Sequence, residues 1–113
     1  MTVERNKNYY TKIVRKYKRI AKELDVEISK TAESLIDNLA FMECELAKVK
    51  AQVLEDGWVE SYMNGANQFG KKESSAGKAY NNLIKSYLAT WKQFKDLFPR
   101  ARQKELDDGF DTF

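Results

Sequence analysis

Apolar positions recur along this chain with a helical period in three stretches. Between residues 8 and 24, Tyr10, Val14, Tyr17, Ala21 and Leu24 follow one another at spacings of four and three, with Ile13 and Ile20 beside them. Such spacing places side chains on one face of a 3.6-residue helix. From about Thr31 to Glu55, Leu35, Leu39, Met42, Leu46, Val49 and Val53 repeat the 4-3-4-3-4 rhythm of a heptad seam. Tyr80, Ile84, Tyr87, Trp91, Phe94 and Phe98 do the same before Pro99, flanked by Leu83, Leu88 and Leu97. The proline ring cannot continue a helix, so a third helix ends before it. The pattern predicts an all-α fold of three helices, near residues 1–25, 29–56 and 75–98. The second and third form a long antiparallel hairpin.

The first two helices are separated by a weak break. Glu23 to Lys30 holds Asp25, Val26 and Ser29 but neither glycine nor proline. Ser29 or Thr31 is expected to cap the second helix, and one continuous helix is the alternative. Phe41 and Cys44 fall off the second seam and offer a smaller contact surface. Cys44 reads as a small packed residue rather than a reactive thiol.

Between the second and third helices lies a connector of another character, residues 57–75, GWVESYMNGANQFGKKESS. Helix connections usually need about 2 to 8 residues, and this one has 19. Asn64-Gly65 is a strong hairpin-turn signal because both residues tolerate positive φ. The flanks, residues 58–63 and 68–71, can pair as short strands or pack as an ordered loop. Its length and its aromatics (Trp58, Tyr62, Phe69) mark the connector as a functional or packing element rather than a spacer.

Charge changes this picture in one place above all. The 113 residues carry a net charge of only +3, but it is segregated. Residues 1–22 hold eight Lys/Arg against Glu4, and residues 23–56 hold three lysines against nine acids. Residues 57–104 carry nine bases against three acids, and residues 105–113 carry four acids and no base. No acid interrupts Lys12, Arg15, Lys16, Lys18, Arg19 and Lys22. Lys12, Lys16 and Arg19 stack along one face and Arg15, Lys18 and Lys22 line the neighbouring one; a solvated helix face normally mixes its charges, so this unmixed set is a candidate polyanion-binding ridge, about 25 Å long over a 17-residue helix. Lys71 and Lys72 in the connector are second candidates for the same ligand. A basic amphipathic helix can also lie on an anionic membrane, but the tyrosine-rich apolar face here reads as packing surface. The acidic, aromatic segment 105–113 reads either as a disordered end or as a docking peptide. In the second case Phe110 and Phe113 are anchors, and Asp107 and Asp108 steer.

Composition narrows the chemistry. The chain has no histidine and one cysteine, so the commonest general base and metal ligand are missing. No zinc site or Cys-His nucleophile can be assembled, no cofactor loop is present, and no enzyme is expected. No apolar run reaches about 18 residues, so no membrane span is expected. The segment MTVERNKNYYTK lacks the apolar core of a signal peptide, and a lone cysteine suits a reducing compartment. Two matched seams cannot stabilise one hairpin alone, so the first helix must pack on them and self-association is expected.

With these features on the page the chain resembles a family. A basic N-terminal helix leads to a leucine-rich helix ending LEDG, then the loop ESYMNGANQFGKK, then YNNLIKSYLATWKQFKDLFP and a short charged end. Over residues 31–100 this order is similar to the small terminase subunits of tailed phages with HK97-type packaging genes. The chain departs from them in carrying Lys71-Lys72-Glu73-Ser74 where many relatives have a His-Pro pair. It also reads Asp96-Leu97-Phe98-Pro99 where they close on Leu-Gly-Leu-Thr-Pro. The resemblance implies a non-enzymatic, ring-forming helical oligomer in the host cell cytoplasm. Such a protein recognises double-stranded viral DNA and hands it to the large terminase subunit. The reading from another class is a helical adaptor whose basic helix pairs with an acidic protein partner.

Overall fold

A computed structural model describes residues 3–63 and 69–109, with side chains described for residues 7–59 and 70–109. The fold is all-α, as the periodicity predicts, with four helices and a short two-stranded ribbon among the described residues. The order is α1 (Val3–Ala21), α2 (Val26–Asp56), β1 (Val59–Met63), β2 (Phe69–Glu73), α3 (Ser75–Lys95) and α4 (Arg100–Asp108).

Helices α1 and α2 are separate, and the break falls earlier than the sequence suggests. Asp25 makes it, rather than Ser29 or Thr31. Its Oδ1 accepts a hydrogen bond from the backbone N–H of Ile28 at 3.1 Å, the third residue of α2 and one of the donors a helix start leaves unsatisfied. Ser29 already lies inside α2, where its hydroxyl donates to the carbonyl of Val26.

Contacts group the chain into two compact units. The first comprises residues 1–44 and 87–113, and the second residues 45–86. Helices α2 and α3 therefore each contribute one part to the first unit and one part to the second.

The first unit is built on aromatic side chains. Tyr17 from α1 is fully buried and meets the ring of Phe94 edge-on at 5.5 Å, with Trp91 at 6.3 Å. Phe94 in turn stacks edge-to-face on Phe98 at 5.3 Å. Such tilted and edge-on pairs are favoured by the ring quadrupoles beyond the area they bury. Ile13 and Ala21 on α1, and Ala32, Ile36, Leu39, Ala40 and Met42 on α2, complete this core. The α2 stripe is thus turned from the one expected: Leu35 is half-buried, while Ile36 and Ala40 are buried. The reason is α1, which runs beside Ile36, so that Tyr10 and Val14 share a depression with it. Phe41, off the seam, is exposed.

α4 is a correction to the three-helix expectation, and over residues 105–108 a helix stands where a tail is expected; the rest of that segment after Gly109 lies outside the described residues. Pro99 stands at its N-cap, the helix continues to Asp108, and Leu106 is buried. Arg102 anchors it by a bidentate contact to Glu23 at 2.8–3.0 Å and a second to Glu105, which together raise the pKa of its guanidinium. Lys95 on α3 binds the Asp107 carboxylate at 3.1 Å.

In the second unit α2 ends at Gly57, whose φ of 82° lies where side-chain-bearing residues are strained. Its N–H closes the helix on the carbonyl of Val53 at 2.7 Å. The connector then forms the antiparallel ribbon, with Val59 opposite Glu73 and Met63 opposite Phe69. The Asn64-Gly65 turn signal lies outside the described residues. Ser74 locks the return: its hydroxyl donates to the carbonyl of Gly57 at 2.7 Å and accepts from the N–H of Gly77 at 2.9 Å. It is the N-cap of α3 and at the same time the clamp on the end of α2.

Candidate nucleic-acid interface

The basic residues of α1 do not form one ridge. The face of Ile13, Tyr17 and Ala21 is buried, and the bases divide around what remains. Arg15, Lys18, Arg19 and Lys22 stand at i, i+3, i+4 and i+7, the spacing of one helix face. All four are exposed and together they line a single shallow depression. None of the four side chains makes a hydrogen bond or ion pair with the described residues. Lys12 is exposed at the edge of this group.

Lys16 leaves the set. It is half-buried, its Nζ reaches Oε1 of Glu43 on α2 at 3.5 Å, and it lies over the Tyr17 ring, 4.9 Å from the centroid. Its charge is drawn inward to a polar cluster where the Tyr17 and Tyr87 hydroxyls are 2.8 Å apart beside the Glu43 carboxylate. Burial, foremost, pushes both phenols well above the ordinary tyrosine range, so both remain neutral. One Glu43 oxygen is buried without a hydrogen-bond partner. A lysine is the natural counter-charge there, and Lys16 supplies it.

One flank of the remaining ridge is bordered by acids. Lys18 shares a depression with Glu33 and Asp37 of α2, and Asp37 accepts a hydrogen bond from the Tyr10 hydroxyl. That bond is the main cause raising the Tyr10 pKa to about 12. Arg15 and Arg19 lie away from these carboxylates and line neither of the depressions that contain Glu33. At the end of α1, Glu23 would oppose Lys22, but Arg102 engages both oxygens of its carboxylate. Glu43 and Arg102 are the residues that decide which cations of the ridge stay available, and neither role has a local signal in the sequence.

Lys71 and Lys72 belong to the second unit and are exposed on β2. At successive positions of a strand they point to opposite faces of the ribbon, so the two do not act as one cationic site. Of the acidic candidates, Asp107 is held by Lys95 and Asp108 is exposed. Phe110 and Phe113 lie outside the described residues.

What this arrangement can do is bind anions through long cationic side chains on an open surface. The four ridge residues span about 10 Å of helix axis, enough to follow about four phosphates of one DNA strand separated by about 3.4 Å of duplex axis each. No helix among the described residues is long and apolar enough to cross a membrane. No protein-family model, curated protein or solved structure matches the chain.

Proposed function

We propose that this protein is a non-enzymatic, self-associating protein that binds the backbone of double-stranded DNA through α1. The observation that carries this reading is the exposed group of Arg15, Lys18, Arg19 and Lys22, four cations on one face without a carboxylate paired to any of them. Phosphate contacts of this kind position a duplex without reading its bases, so binding is salt-sensitive and weakly sequence-selective. In its most specific form the role is that of the small terminase subunit of a tailed phage. It engages viral DNA and passes it to the large, ATP-driven subunit, with the segment that ends in Phe110 and Phe113 as the docking peptide. The order of the motifs across residues 31–100 supports that form.

The experiment is a fluorescence-anisotropy titration of a labelled duplex across a salt series. Four phosphate contacts give a slope of log affinity against log salt of about −3.6. The double reversal Arg15→Glu with Arg19→Glu weakens binding by more than about tenfold and flattens that slope by about two. Lys16→Gln leaves both nearly unchanged, because Lys16 is committed to Glu43. Equal affinity and slope for the charge-reversed protein would move the site elsewhere. Binding of an acidic polypeptide in preference to the duplex would put the adaptor role in its place.

A further inference from the structure

Within the first unit a groove runs between α1 and α2. Two shallow depressions make it. One is lined by Tyr10, Val14, Lys18, Glu33, Ile36 and Asp37. The other shares Lys18, Glu33 and Ile36 with it and continues past Ala21 to Lys22, Leu24 and Val26. From Tyr10 to Ala21 the groove follows α1 for about 16 Å, or about three helical turns. Its floor is apolar: Ala21 and Ile36 are buried, and Val14 and Leu24 half-buried. Val26 at its end is 75% exposed, an aliphatic side chain left open. The two sides carry opposite charge, with Lys18 and Lys22 on the α1 side and Glu33 and Asp37 on the α2 side. Lys18 and Glu33 line both depressions, yet no hydrogen bond or ion pair joins them, and neither side chain has another such partner among the described residues. The groove is wide enough to hold the two charges apart.

Shape and charge together choose the occupant. The larger depression holds about 310 Å³, the bottom of the range for small-molecule sites, so the groove offers length rather than depth. A polyanion or an anionic membrane would meet Glu33 and Asp37 and be repelled. Helix backbones form both sides, and within a helix the N–H and C=O groups are already bonded. An extended peptide therefore finds few partners for its own backbone, whereas a helix brings its bonds with it. We infer that the groove receives an amphipathic α-helix of a partner protein, about three turns long. Its apolar stripe lies on Val14, Ile36, Leu24 and Val26. Acids on one flank of the stripe face Lys18 and Lys22, and bases on the other face Glu33 and Asp37. The inference stands apart from the DNA reading, because Arg15 and Arg19 line neither depression.

Fluorescence anisotropy with labelled synthetic helical peptides of about 14 residues and the full chain tests it. Each peptide carries a leucine stripe at helical spacing. The first has glutamates on one flank of the stripe and lysines on the other, the second glutamates on both, and the third lysines on both. The expected result is saturable binding of the mixed peptide, at least about tenfold tighter than that of either control. Val26→Glu weakens it by more than about tenfold. That change places an acid at an exposed position in the first turn of α2, where the helix dipole favours one, so the far-UV circular dichroism stays as in the wild type. Glu33→Lys weakens the mixed peptide and tightens the peptide with glutamates on both flanks, which a loss of folding would not do. The double reversal of Arg15 and Arg19 leaves binding of the mixed peptide nearly unchanged, so this inference and the DNA reading fail separately. No binding of the mixed peptide overturns the inference. So does binding that follows the net charge of the peptide alone, or that survives both Val26→Glu and Glu33→Lys. Self-association that is lost in Val26→Glu, from a chain indifferent to the mixed peptide, gives the groove to a second copy and overturns it as well.

Discussion

The two units solve the same problem with different means. In the first, Trp91 and Phe94 of α3 close on Tyr17 of α1, Phe98 packs on Phe94, and burial is nearly complete at Tyr17, Phe94 and Leu106. Among its described residues the second has one buried valine and an exposed tryptophan, and hydrogen bonds converge on Ser74. The first is held mainly by non-directional apolar burial, which scales with area. In the second, a few directional bonds gather around a turn. Packing against the first core fixes the direction in which Arg15 and Arg19 project from α1.

The sharpest way to break this comparison is to remove one core side chain from each unit. Phe94→Ala deletes the ring that touches Tyr17, Trp91 and Phe98 and is expected to cost about 3–5 kcal/mol, enough to unfold most of a marginal domain. Val53→Ala removes two methyl groups and costs about 1.5–2 kcal/mol. Urea denaturation of both variants measures the difference. Equal losses would mean that the second unit holds a core comparable to the first.

A smaller effect separates the units by pH. Tyr17 and Tyr87 hold their protons above the ordinary pKa of 10.0, with burial the leading cause. Their contribution to stability is therefore complete below pH 10 and is lost as pH rises beyond it, because the unfolded chain releases those protons first. The loss amounts to at most about 1.4 kcal/mol per pH unit for each phenol. Comparing urea midpoints of the wild type and Tyr17→Phe at about pH 8 and about pH 11 isolates the Tyr17 share from general alkaline titration. The variant is expected to lose less on the alkaline step. Parallel losses would show that Tyr17 ionises as readily in the folded protein as in the unfolded one.

How far the sequence announced these features depends on the range of the interactions behind them. Tyr87, Trp91, Phe94 and Phe98 repeat at helical spacing and are buried as the spacing requires; the same holds for Tyr17 and Ala21. The ribbon was readable as one of two outcomes from the strand-like flanks of the connector. Asp25 is not the evident cap in the sequence because Ser29 and Thr31 stand closer to the visible seam, although aspartate caps equally well. α4 is poorly marked in the sequence for a physical reason. Its bases stand at the start and its acids at the end, the reverse of what the helix dipole favours, so its local signal is poor. Leu106, Arg102 with Glu23, and Lys95 with Asp107 supply its support from outside. The candidate ridge was legible as composition but not as membership. Whether Lys16 faces solvent or Glu43 depends on how α1 is set against α2, and no spacing within α1 encodes that.

The smallest effect belongs to Ser74, and it bears most directly on the second unit. The hydroxyl is buried and engaged twice, as acceptor from Gly77 N–H and donor to Gly57 C=O. Ser74→Ala removes the cap and leaves both partners short of a bond, while the backbone bond from Ser74 N–H to the Trp58 carbonyl at 2.8 Å is retained. Loss of an N-cap costs about 1 kcal/mol. Because the bonds lost lie at the junction of the ribbon with α2 and α3, that loss is expected to appear as local opening rather than global unfolding. Hydrogen exchange is the measurement. Faster exchange in Ser74→Ala is expected at the Gly57 and Gly77 amides and across β1 and β2, with amides near Tyr17 and Phe94 unchanged. Acceleration spread evenly through both units would mean that they open together, and that the clamp at Ser74 supports the whole chain rather than its second unit.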